Sequence, residues 1–411
     1  MNGNGDNEAS DAMQNDDVTD DITTDDVIQH GAVIDVDDDV GGNVNEKVED
    51  IVDDMEMNDI NDDDEDGINP DDNSILSFEV HQGSVFIITT HDDLAVSGGE
   101  DDTAFVWNYI TGEVSFQCTG HKDSVTCCNF NHDGTLLSTG DMSGVIKVWN
   151  VEKQEQICDF ETGDLEWLQW HSAANILLAG TSDGEVWMWK IPKGESKIFP
   201  SPGCTCTNGK ILPGGKTAAF TYSDGSLRIF DLKTTQVIHA VSKDKESHRD
   251  AISDVDFDSD GKILATASLD GTCKIININT GKVTATYRPP RIPDSDNGLE
   301  SVGFSSKNYN LLAAASLDGT VSVWDVNNAR LRHQLKHPDG VTKLAWLGPY
   351  IVTSCVDGIC RLWNGRNSQL VETYNGSEQP IFDINVSKNG KYFLAASSDG
   401  WVRVYSITDT T

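Results

Sequence analysis

The sequence has few basic residues and no long apolar run. Its 411 residues include 29 Lys and Arg against 68 Asp and Glu, which gives a formal net charge of −39. Because phosphate contacts require Lys and Arg in excess, this deficit argues against direct nucleic-acid binding. No run of about 18 apolar residues occurs, so we expect no membrane insertion. The amino terminus lacks the basic start and apolar stretch of a signal peptide, which predicts a cytoplasmic location that can extend to the nucleus.

The sequence also has no recognisable disulfide framework or catalytic motif. Its nine cysteines are odd in number and are expected to be reduced thiols. Cys204 and Cys206 are not accompanied by a second pair or by a suitably spaced histidine, so no metal site is predicted. Phosphate-binding, serine-hydrolase and zinc-protease motifs are missing. We therefore expect a protein without enzymatic activity and without a cofactor.

The negative charge is concentrated at the amino terminus. Residues 1–73 contain 27 acidic residues and one base, Lys47, and they contain no Trp, Tyr, Phe or Cys. Such a segment cannot bury enough apolar surface to offset roughly 1–2 kcal/mol per residue of backbone ordering. We predict that residues 1–73 form a disordered acidic tail and that residues 74–411 form the folded domain. Short apolar pairs such as Val33-Ile34 leave open that the tail contacts a partner.

From residue 74 onward the chain repeats. An aromatic or large apolar residue closes a short alternating run every 39 to 48 residues. These anchors are Trp107, Trp149, Trp189, Phe230, Ile276, Trp324, Trp363 and Tyr405. An Asp stands six positions before the anchor in seven of the eight units, usually followed by Gly, as in a tight hairpin. Four short strands in about 40 residues, centred on a Trp, indicate an all-β, eight-bladed WD-repeat β-propeller.

The ends of the repeat region predict how the ring closes. The chain ends just after the third strand of unit eight, around Tyr405, and an additional strand at residues 75–80 stands before unit one. That strand can supply the missing fourth strand of the last blade, which would leave no open edge.

Several histidines recur at the spacing of the repeat. Because about one unit separates them, they fall in different blades, and a shared metal ion is a poor explanation. In the WD-repeat pattern, the His, a Ser or Thr, the turn Asp and the Trp form a buried hydrogen-bonded tetrad. The predicted tetrad residues are His81, Ser97, Asp101 and Trp107 in unit one, and His337, Thr353, Asp357 and Trp363 in unit seven. Unit two has His121, Thr139 and Trp149 with Ser143 in place of the Asp, and unit five has His248, Thr266 and Asp270 with Ile276 in place of the Trp.

Acidic residues cluster in the turns and loops that open onto one face of such a propeller. The predicted partner-binding residues are Glu100, Asp102, Asp123, Asp141, Asp164, Glu166, Asp250, Glu300 and Asp339, together with the aromatic Trp167 and Tyr222. Lys122, Arg249, Lys243 and Lys245 interrupt this ring. Carboxylates combined with aromatic rings favour a basic polypeptide partner. The alternative is that a protein of this charge exposes acids everywhere.

The loop at 287–294 is the longest insertion between units. It contains three prolines and two arginines. It is either a surface excursion or a second docking element.

Five segments of the sequence are more specific than a generic WD repeat. Residues 98–107, 120–127 and 139–144, together with 163–167 and 187–190, closely resemble the angio-associated migratory cell protein family. The similarity extends through the propeller to the acidic amino-terminal segment. The resemblance implies a dedicated chaperone that holds the basic amino-terminal end of a large-subunit ribosomal protein on the acidic face. We expect the protein to act as a monomer. The alternative that it leaves open is a signalling or cytoskeletal scaffold involved in cell migration.

Overall fold

Short alternating segments separated by glycine turns form four-stranded antiparallel sheets. The computed structural model describes residues 72–242, 246–306 and 309–407. Strands of five to seven residues dominate, and the turns between them place glycines such as Gly184 and Gly225 at positive φ, where a side chain is disfavoured. Within the described residues there is no helix long and apolar enough to cross a membrane.

In the described part of the chain, thirty-two strands make up eight blades of four. After β1 (Leu76–Phe78), blades one to four consist of β2 (Val85–His91), β3 (Leu94–Gly99), β4 (Ala104–Asn108) and β5 (Val114–Cys118); β6 (Val125–Phe130), β7 (Leu136–Asp141), β8 (Val145–Asn150) and β9 (Glu155–Glu161); β10 (Leu165–Trp170), β11 (Ile176–Thr181), β12 (Val186–Lys190) and β13 (Glu195–Phe199); and β14 (Cys206–Ile211), β15 (Thr217–Tyr222), β16 (Leu227–Asp231) and β17 (Val237–Val241). Blades five to eight consist of β18 (Ile252–Phe257), β19 (Ile263–Ser268), β20 (Cys273–Asn277) and β21 (Lys282–Tyr287); β22 (Leu299–Phe304), β23 (Leu311–Ser316), β24 (Thr320–Asp325) and β25 (Arg330–Lys336); β26 (Val341–Leu347), β27 (Tyr350–Cys355), β28 (Cys360–Asn364) and β29 (Leu370–Tyr374); and β30 (Ile381–Val386), β31 (Tyr392–Ser397) and β32 (Val402–Ser406) with β1.

The prediction of an eight-bladed propeller is confirmed. The first strands of successive blades contact one another around a closed circle, from β2 through β30 and back to β2, so they surround the central axis. The anchor residues all lie on third strands, and the core fills the spaces between neighbouring sheets. Hydrophobic side chains from two blades share each of these layers, and the ring has no open hydrophobic end.

The predicted closure by the amino-terminal strand is also confirmed. Strand β1 pairs antiparallel with β32, with Leu76 opposite Val404 and Phe78 opposite Val402. The Phe78 ring stacks on Trp107 of blade one at a centroid distance of 4.1 Å, so β1 joins blade eight to blade one. Asp72 accepts a hydrogen bond from the Arg403 Nε at 3.2 Å, and both side chains are largely buried.

Asp72 and Asn73, which the prediction assigns to the tail, are attached to the propeller. Asp72 contacts Arg403 of blade eight, and the Asn73 amide donates to the Asn375 carbonyl, just after blade seven. The rest of the predicted disordered tail, residues 1–71, lies outside the described residues.

The antiparallel order gives the propeller two distinct faces. The connections between blades and the turns between second and third strands lie on one end, which we call the first face. The hairpins between first and second strands and between third and fourth strands lie on the other end, which we call the second face.

Candidate protein-binding face

Most of the predicted acidic residues are exposed on the first face. Two of them lie in the turn of blade one, and most of the others lie in connections just before first strands. The exposed members are Glu100, Asp102, Asp123, Asp164, Glu166, Asp250 and Asp339, and Glu300 is half-buried. Their order along the chain places carboxylates on blades one, two, three, five, six and seven of this face. The carboxylates of Glu100 and Asp123 also accept backbone hydrogen bonds, from Ser84 and Ser124, which holds both loops in place.

Each first strand begins with a β-bulge, and the bulged residues form a ring around the axis. The register shifts at the second residue of the strand in all eight blades. A bulge breaks the alternation of the strand and re-aims one side chain. In blade order the bulged residues are Phe86, Thr126, Glu166, Thr207, Ser253, Glu300, Thr342 and Phe382.

Three hydroxyl residues of this ring tie neighbouring blades together. Thr207 donates to the Ile252 carbonyl at 2.5 Å, Ser253 donates to the Leu299 carbonyl at 2.5 Å, and Thr342 donates to the Ile381 carbonyl at 2.7 Å. Each acceptor is the first residue of the next blade's first strand. These members of the ring therefore serve the architecture of the propeller.

The two glutamates of the ring are held in a partly desolvated setting. Burial, and then the nearby Asp164, raise the pKa of Glu166. Burial, followed by Asp296 and Asp254, raises the pKa of Glu300, against an opposing effect of Lys343. Carboxylates that have already lost part of their water bind an arriving cation more strongly than fully hydrated ones do.

Phe86 and Phe382 complete the ring on the side where blades eight and one meet. Their ring centroids are 5.6 Å apart, and 37% of Phe382 is exposed. Sequence analysis missed both residues, because they occupy the same repeat position as Glu166 and nothing in the sequence marks that position as a bulge. Exposed Met142, in the turn of blade two, adds another apolar group to this face.

The histidine tetrads lie beneath these loops, and no two of them are built alike. In blade five His248 contacts Asp270 through Nδ1 at 3.2 Å and Thr266 through Nε2 at 2.8 Å. Burial opposes ionisation of Asp270, but hydrogen bonds from His248, Thr272 and the Arg249 amide lower its pKa. Burial also lowers the pKa of His248, against an opposing effect of Asp270, and so favours the neutral imidazole.

In blade two the prediction that the aspartate is missing is wrong. Asp141, two positions earlier than the usual turn residue, contacts His121 Nδ1 at 3.1 Å, and Thr139 contacts His121 Nε2 at 2.8 Å and Trp149 Nε1 at 2.9 Å. Ser143, which occupies the usual Asp position, donates to the Asp141 carboxylate at 2.8 Å. The tetrad is therefore complete, and Asp141 is fully buried and not a partner-binding residue.

In blades one and seven the predicted tetrads are incomplete. His81 contacts Asp101 at 3.0 Å and Ser97 at 2.9 Å, but the Trp107 Nε1 is buried and has no hydrogen-bond partner among the described residues. The expectation that Trp107 completes the tetrad is therefore wrong.

In blade seven His337 and Trp363 share the Thr353 hydroxyl, at 2.8 and 3.2 Å. Asp357 instead pairs with Arg361 at 2.6 Å, and the His337 Nδ1 faces the Gly319 carbonyl. The predicted role of Asp357 is thus also wrong. Pro338 follows His337 and has no N–H, whereas residues 82, 122 and 249 each donate a backbone amide to their tetrad aspartate.

The two predicted aromatic contacts are also wrong, because Trp167 and Tyr222 are buried. The Trp167 indole donates to the Cys206 carbonyl at 3.1 Å and packs on two glycines of neighbouring strands. A Cβ at Gly180 would lie 2.1 Å from its Nε1, so this packing requires glycine there. Tyr222 is the last residue of β15, a position whose side chain points into the core in the same way as Asp141 at the end of β7.

The basic residues predicted among the carboxylates of the first face differ in whether they are paired. Lys122 pairs with Glu161, and Arg291 of the 287–294 insertion donates to the Asp270 carbonyl at 3.3 Å. Arg249 is exposed, and Lys243 and Lys245 lie outside the described residues. Among the described residues, no group of three or more His, Cys, Asp or Glu side chains is arranged to hold a metal ion.

Similar proteins place the chain in a family. The model of the WD domain, G-beta repeat, matches residues 112–150, 241–277, 292–325, 329–364 and 368–406. The human angio-associated migratory cell protein is 41% identical over 353 residues, which cover 82% of this chain and 81% of the human protein. The chain belongs to the angio-associated migratory cell protein family.

Fungal proteins share the fold at lower identity. Ribosome assembly protein SQT1 of Saccharomyces cerevisiae is 26% identical over 79% of this chain and 84% of its own length. The crystal structure of Saccharomyces cerevisiae Sqt1 matches with a TM-score of 0.75 at 23% identity, over 82% of this family member and 99% of Sqt1. Chaetomium thermophilum Sqt1 bound to the N-terminus of the ribosomal protein L10 matches with a TM-score of 0.74 at 22% identity, over 82% of this chain and 100% of Sqt1.

Proposed function

We propose that this protein is a non-enzymatic chaperone that holds the basic amino-terminal segment of a large-subunit ribosomal protein on its first face. The observation that carries the proposal is the ring at the mouth of the axis, where Glu166 and Glu300 stand among exposed carboxylates of six blades. A fungal relative is a ribosome assembly protein, and another was crystallised with the N-terminus of L10, which supports this class of client.

The chemistry of the face fits an extended basic peptide. Arginine and lysine side chains can pair with carboxylates from several blades in turn, and arginine can do so through two hydrogen bonds at once. The pair Phe86 and Phe382 offers an apolar surface for an uncharged side chain or for the aliphatic stem of a basic one. Several separate carboxylates favour a peptide that carries several positive charges over a single small cation.

The proposal includes the conditions under which the protein acts. We propose that it binds its client as a monomer in the cytoplasm, and that this location extends to the nucleus. It neither contacts nucleic acid directly nor inserts into a membrane. Masking the basic segment would keep the client from unspecific association with nucleic acid before assembly.

Binding of a synthetic peptide tests the proposal. A fluorescently labelled peptide of the amino terminus of an L10-type ribosomal protein is titrated with the full chain, and anisotropy is measured at 50 and 500 mM salt. We expect Glu166→Lys to weaken binding by roughly tenfold or more, because an attraction is replaced by a repulsion. Glu152→Lys, with the same charge change on the second face, is the matched control. Affinity that is equal at both salt concentrations, or equal loss in both variants, would contradict the proposal.

The alternative of a scaffold in cell migration is favoured by the name of the human relative. Isolation of the tagged full chain from cells, followed by mass spectrometry, separates the two functions. The chaperone predicts one stoichiometric ribosomal protein that is lost with Glu166→Lys. A scaffold predicts several partners with no dominant basic segment.

A further inference from the structure

The second face carries a basic cavity in an otherwise acidic protein. The cavity has a volume of about 700 Å³ and lies between blades three and four. Four lysines line it, namely Lys190, Lys197, Lys216 and Lys233, against two acids, Glu195 and Asp231. The whole chain has the opposite balance, with 68 acids against 29 bases. The local excess of positive charge is therefore a property of this cavity.

The two acids and one carbonyl engage part of this positive charge, since the Lys197 ammonium donates to the Lys233 carbonyl at 2.5 Å. The Glu195 carboxylate is 4.0 Å from the Lys190 ammonium, a distance typical of a weak, exposed pair. The Asp231 carboxylate accepts hydrogen bonds from the amide and hydroxyl of Thr234, at 2.7 and 2.9 Å, and caps the following turn. All four lysines are exposed.

The floor of the cavity is apolar and its wall is fixed. Met188, Trp189 and Leu232 form buried parts of the lining. One wall is His171, whose Nε2 donates to the Gly215 carbonyl at 2.8 Å while its Nδ1 accepts from the Ala173 amide at 3.1 Å. A Cβ at Gly215 would lie 2.3 Å from the His171 Nε2, so a glycine is required for this close approach.

The charge of such cavities differs from one pair of blades to the next. The cavity between blades six and seven, of about 410 Å³, is lined by Arg332 and Arg366. The corresponding cavity between blades five and six has about 310 Å³ and is lined by Asp258 and Asp260. All three cavities lie at hairpins of the second face, so the difference comes from the side chains.

We propose that the cavity between blades three and four binds an acidic peptide segment of a partner protein, in which carboxylates flank an apolar side chain. The apolar side chain contacts Trp189 and Leu232, and the lysine ammonium groups pair with carboxylates on either side of it. The four lysines come from β12, β13, the β14–β15 hairpin and the β16–β17 turn, so they surround an open cavity and do not converge on one point. This spacing favours several separate carboxylates on a chain over a single small anion.

Short peptides test the charge and the apolar anchor separately. The probe is a fluorescein-labelled peptide with the central sequence Asp-Asp-Ile-Val-Asp-Asp, titrated with the full chain and followed by anisotropy. A second peptide replaces Ile-Val with Ser-Ser. We expect the first peptide to bind and the second to bind at least about fivefold more weakly, because it loses the apolar contact. Equal affinities for the two peptides would overturn the proposal.

Two charge-reversal variants locate the site. Lys197→Glu combined with Lys216→Glu alters the cavity, and we expect it to weaken binding of the first peptide by roughly tenfold or more. Lys153→Glu combined with Lys391→Glu makes the same charge change on exposed positions elsewhere on the second face and should change binding less than about twofold. The melting temperature of each variant, measured by circular dichroism, shows that the propeller is intact.

Two further results would overturn the assignment. Equal loss of binding in both double variants would indicate general electrostatics in place of a site. Full displacement of the peptide by sodium dodecanoate, together with dodecanoate binding that depends on the four lysines, would indicate a pocket for a small anionic amphiphile. The peptide and variant measurements concern the second face alone. A negative result would therefore not contradict the proposed chaperone function of the first face.

Discussion

A serine in place of a threonine is enough to leave a buried indole without a partner. In blades two and seven a threonine hydroxyl serves both the histidine and the tryptophan, whereas Ser97 of blade one serves His81 alone. A threonine has two heavy atoms on Cβ, and its hydroxyl is therefore confined to fewer positions. An unpaired buried donor costs about 1–3 kcal/mol.

We therefore predict that Ser97→Thr stabilises the propeller. The new hydroxyl position can accept from the Trp107 indole while it keeps the contact to His81, which should raise the free energy of unfolding by about 1 kcal/mol. Urea unfolding followed by tryptophan fluorescence measures the change. Ser97→Ala is the control and should be less stable than the unmodified chain. An unchanged or lower stability of Ser97→Thr would show that the indole cannot reach the hydroxyl.

The pKa of His337 lies well below that of an ordinary histidine. Burial, and then the positive charge of Arg361, lower its pKa to about 4. A histidine with a depressed pKa stabilises the fold fully above its unfolded pKa of about 6.5, and this contribution is lost as the pH falls toward 4. The difference corresponds to roughly 3 kcal/mol.

We predict that His337→Gln flattens the pH dependence of stability between pH 6.5 and 4. The variant is expected to be less stable than the unmodified chain at pH 7, because the contact to Thr353 is altered. Its stability should then fall less on acidification, since no imidazole must be protonated at this site. Urea midpoints at half-unit pH intervals provide the comparison. Parallel curves for the two proteins would contradict the assignment.

At the scale of single elements, β1 has more importance than its three residues suggest. It pairs with β32, and its Phe78 side chain stacks on Trp107 in the next blade. Asp72, just before it, pairs with the largely buried Arg403. Because the ring is closed through this strand, its loss exposes an edge and uncovers the core between blades eight and one.

We predict different effects for two truncations. Removal of residues 1–80 deletes β1, and it should lower the free energy of unfolding by several kcal/mol, of which the buried Phe78 alone contributes about 2. Removal of residues 1–71 keeps Asp72 and β1, and it should change the melting temperature by little. Calorimetry on both truncated chains makes the comparison. Similar melting temperatures of the two truncated chains would contradict the role of β1 in closing the ring.

The β-bulge at the start of every first strand is the element that builds the first face. It places the second residue of each strand at the mouth of the axis. Three hydroxyls and the contact between Phe86 and Phe382 link neighbouring blades there, and Glu166 and Glu300 add carboxylates. One architectural position thus serves the structure and, in the proposed function, the binding of the client.

At the scale of the whole molecule, acidic side chains occur on both faces, and one cavity of the second face is basic. Carboxylates of six blades lie on the first face, and four lysines line one cavity of the second face. The net charge of −39 favours the approach of cationic partners from a distance, so an acidic partner must rely on short-range contacts in the cavity.

We predict that affinity for the basic peptide falls as the pH is lowered from 7 to 5. The pKa values of Glu166 and Glu300 are raised, so these two carboxylates gain protons at a higher pH than ordinary glutamates do. Glu166→Gln combined with Glu300→Gln should bind more weakly at pH 7 and show a flatter pH profile. Asp123→Asn is the control for an exposed carboxylate on the same face. A profile of the double variant as steep as that of the unmodified chain would contradict the role of the two glutamates.

The sequence by itself determined the eight blades, the closure by the first strand and the presence of carboxylates in the loops of the first face. These follow from local features: the repeat of about 40 residues, the Asp-Gly turns, and the position of charged residues in those turns. Only the tertiary structure decided which side chains are available. It buries Asp141, Trp167 and Tyr222. It pairs Asp357 with Arg361 in place of His337. It also brings Phe86 beside Phe382, although about 300 residues separate them in sequence. The physical reason is that exposure depends on bulges and on packing between blades, and neither has a signature in the spacing of residues along the chain.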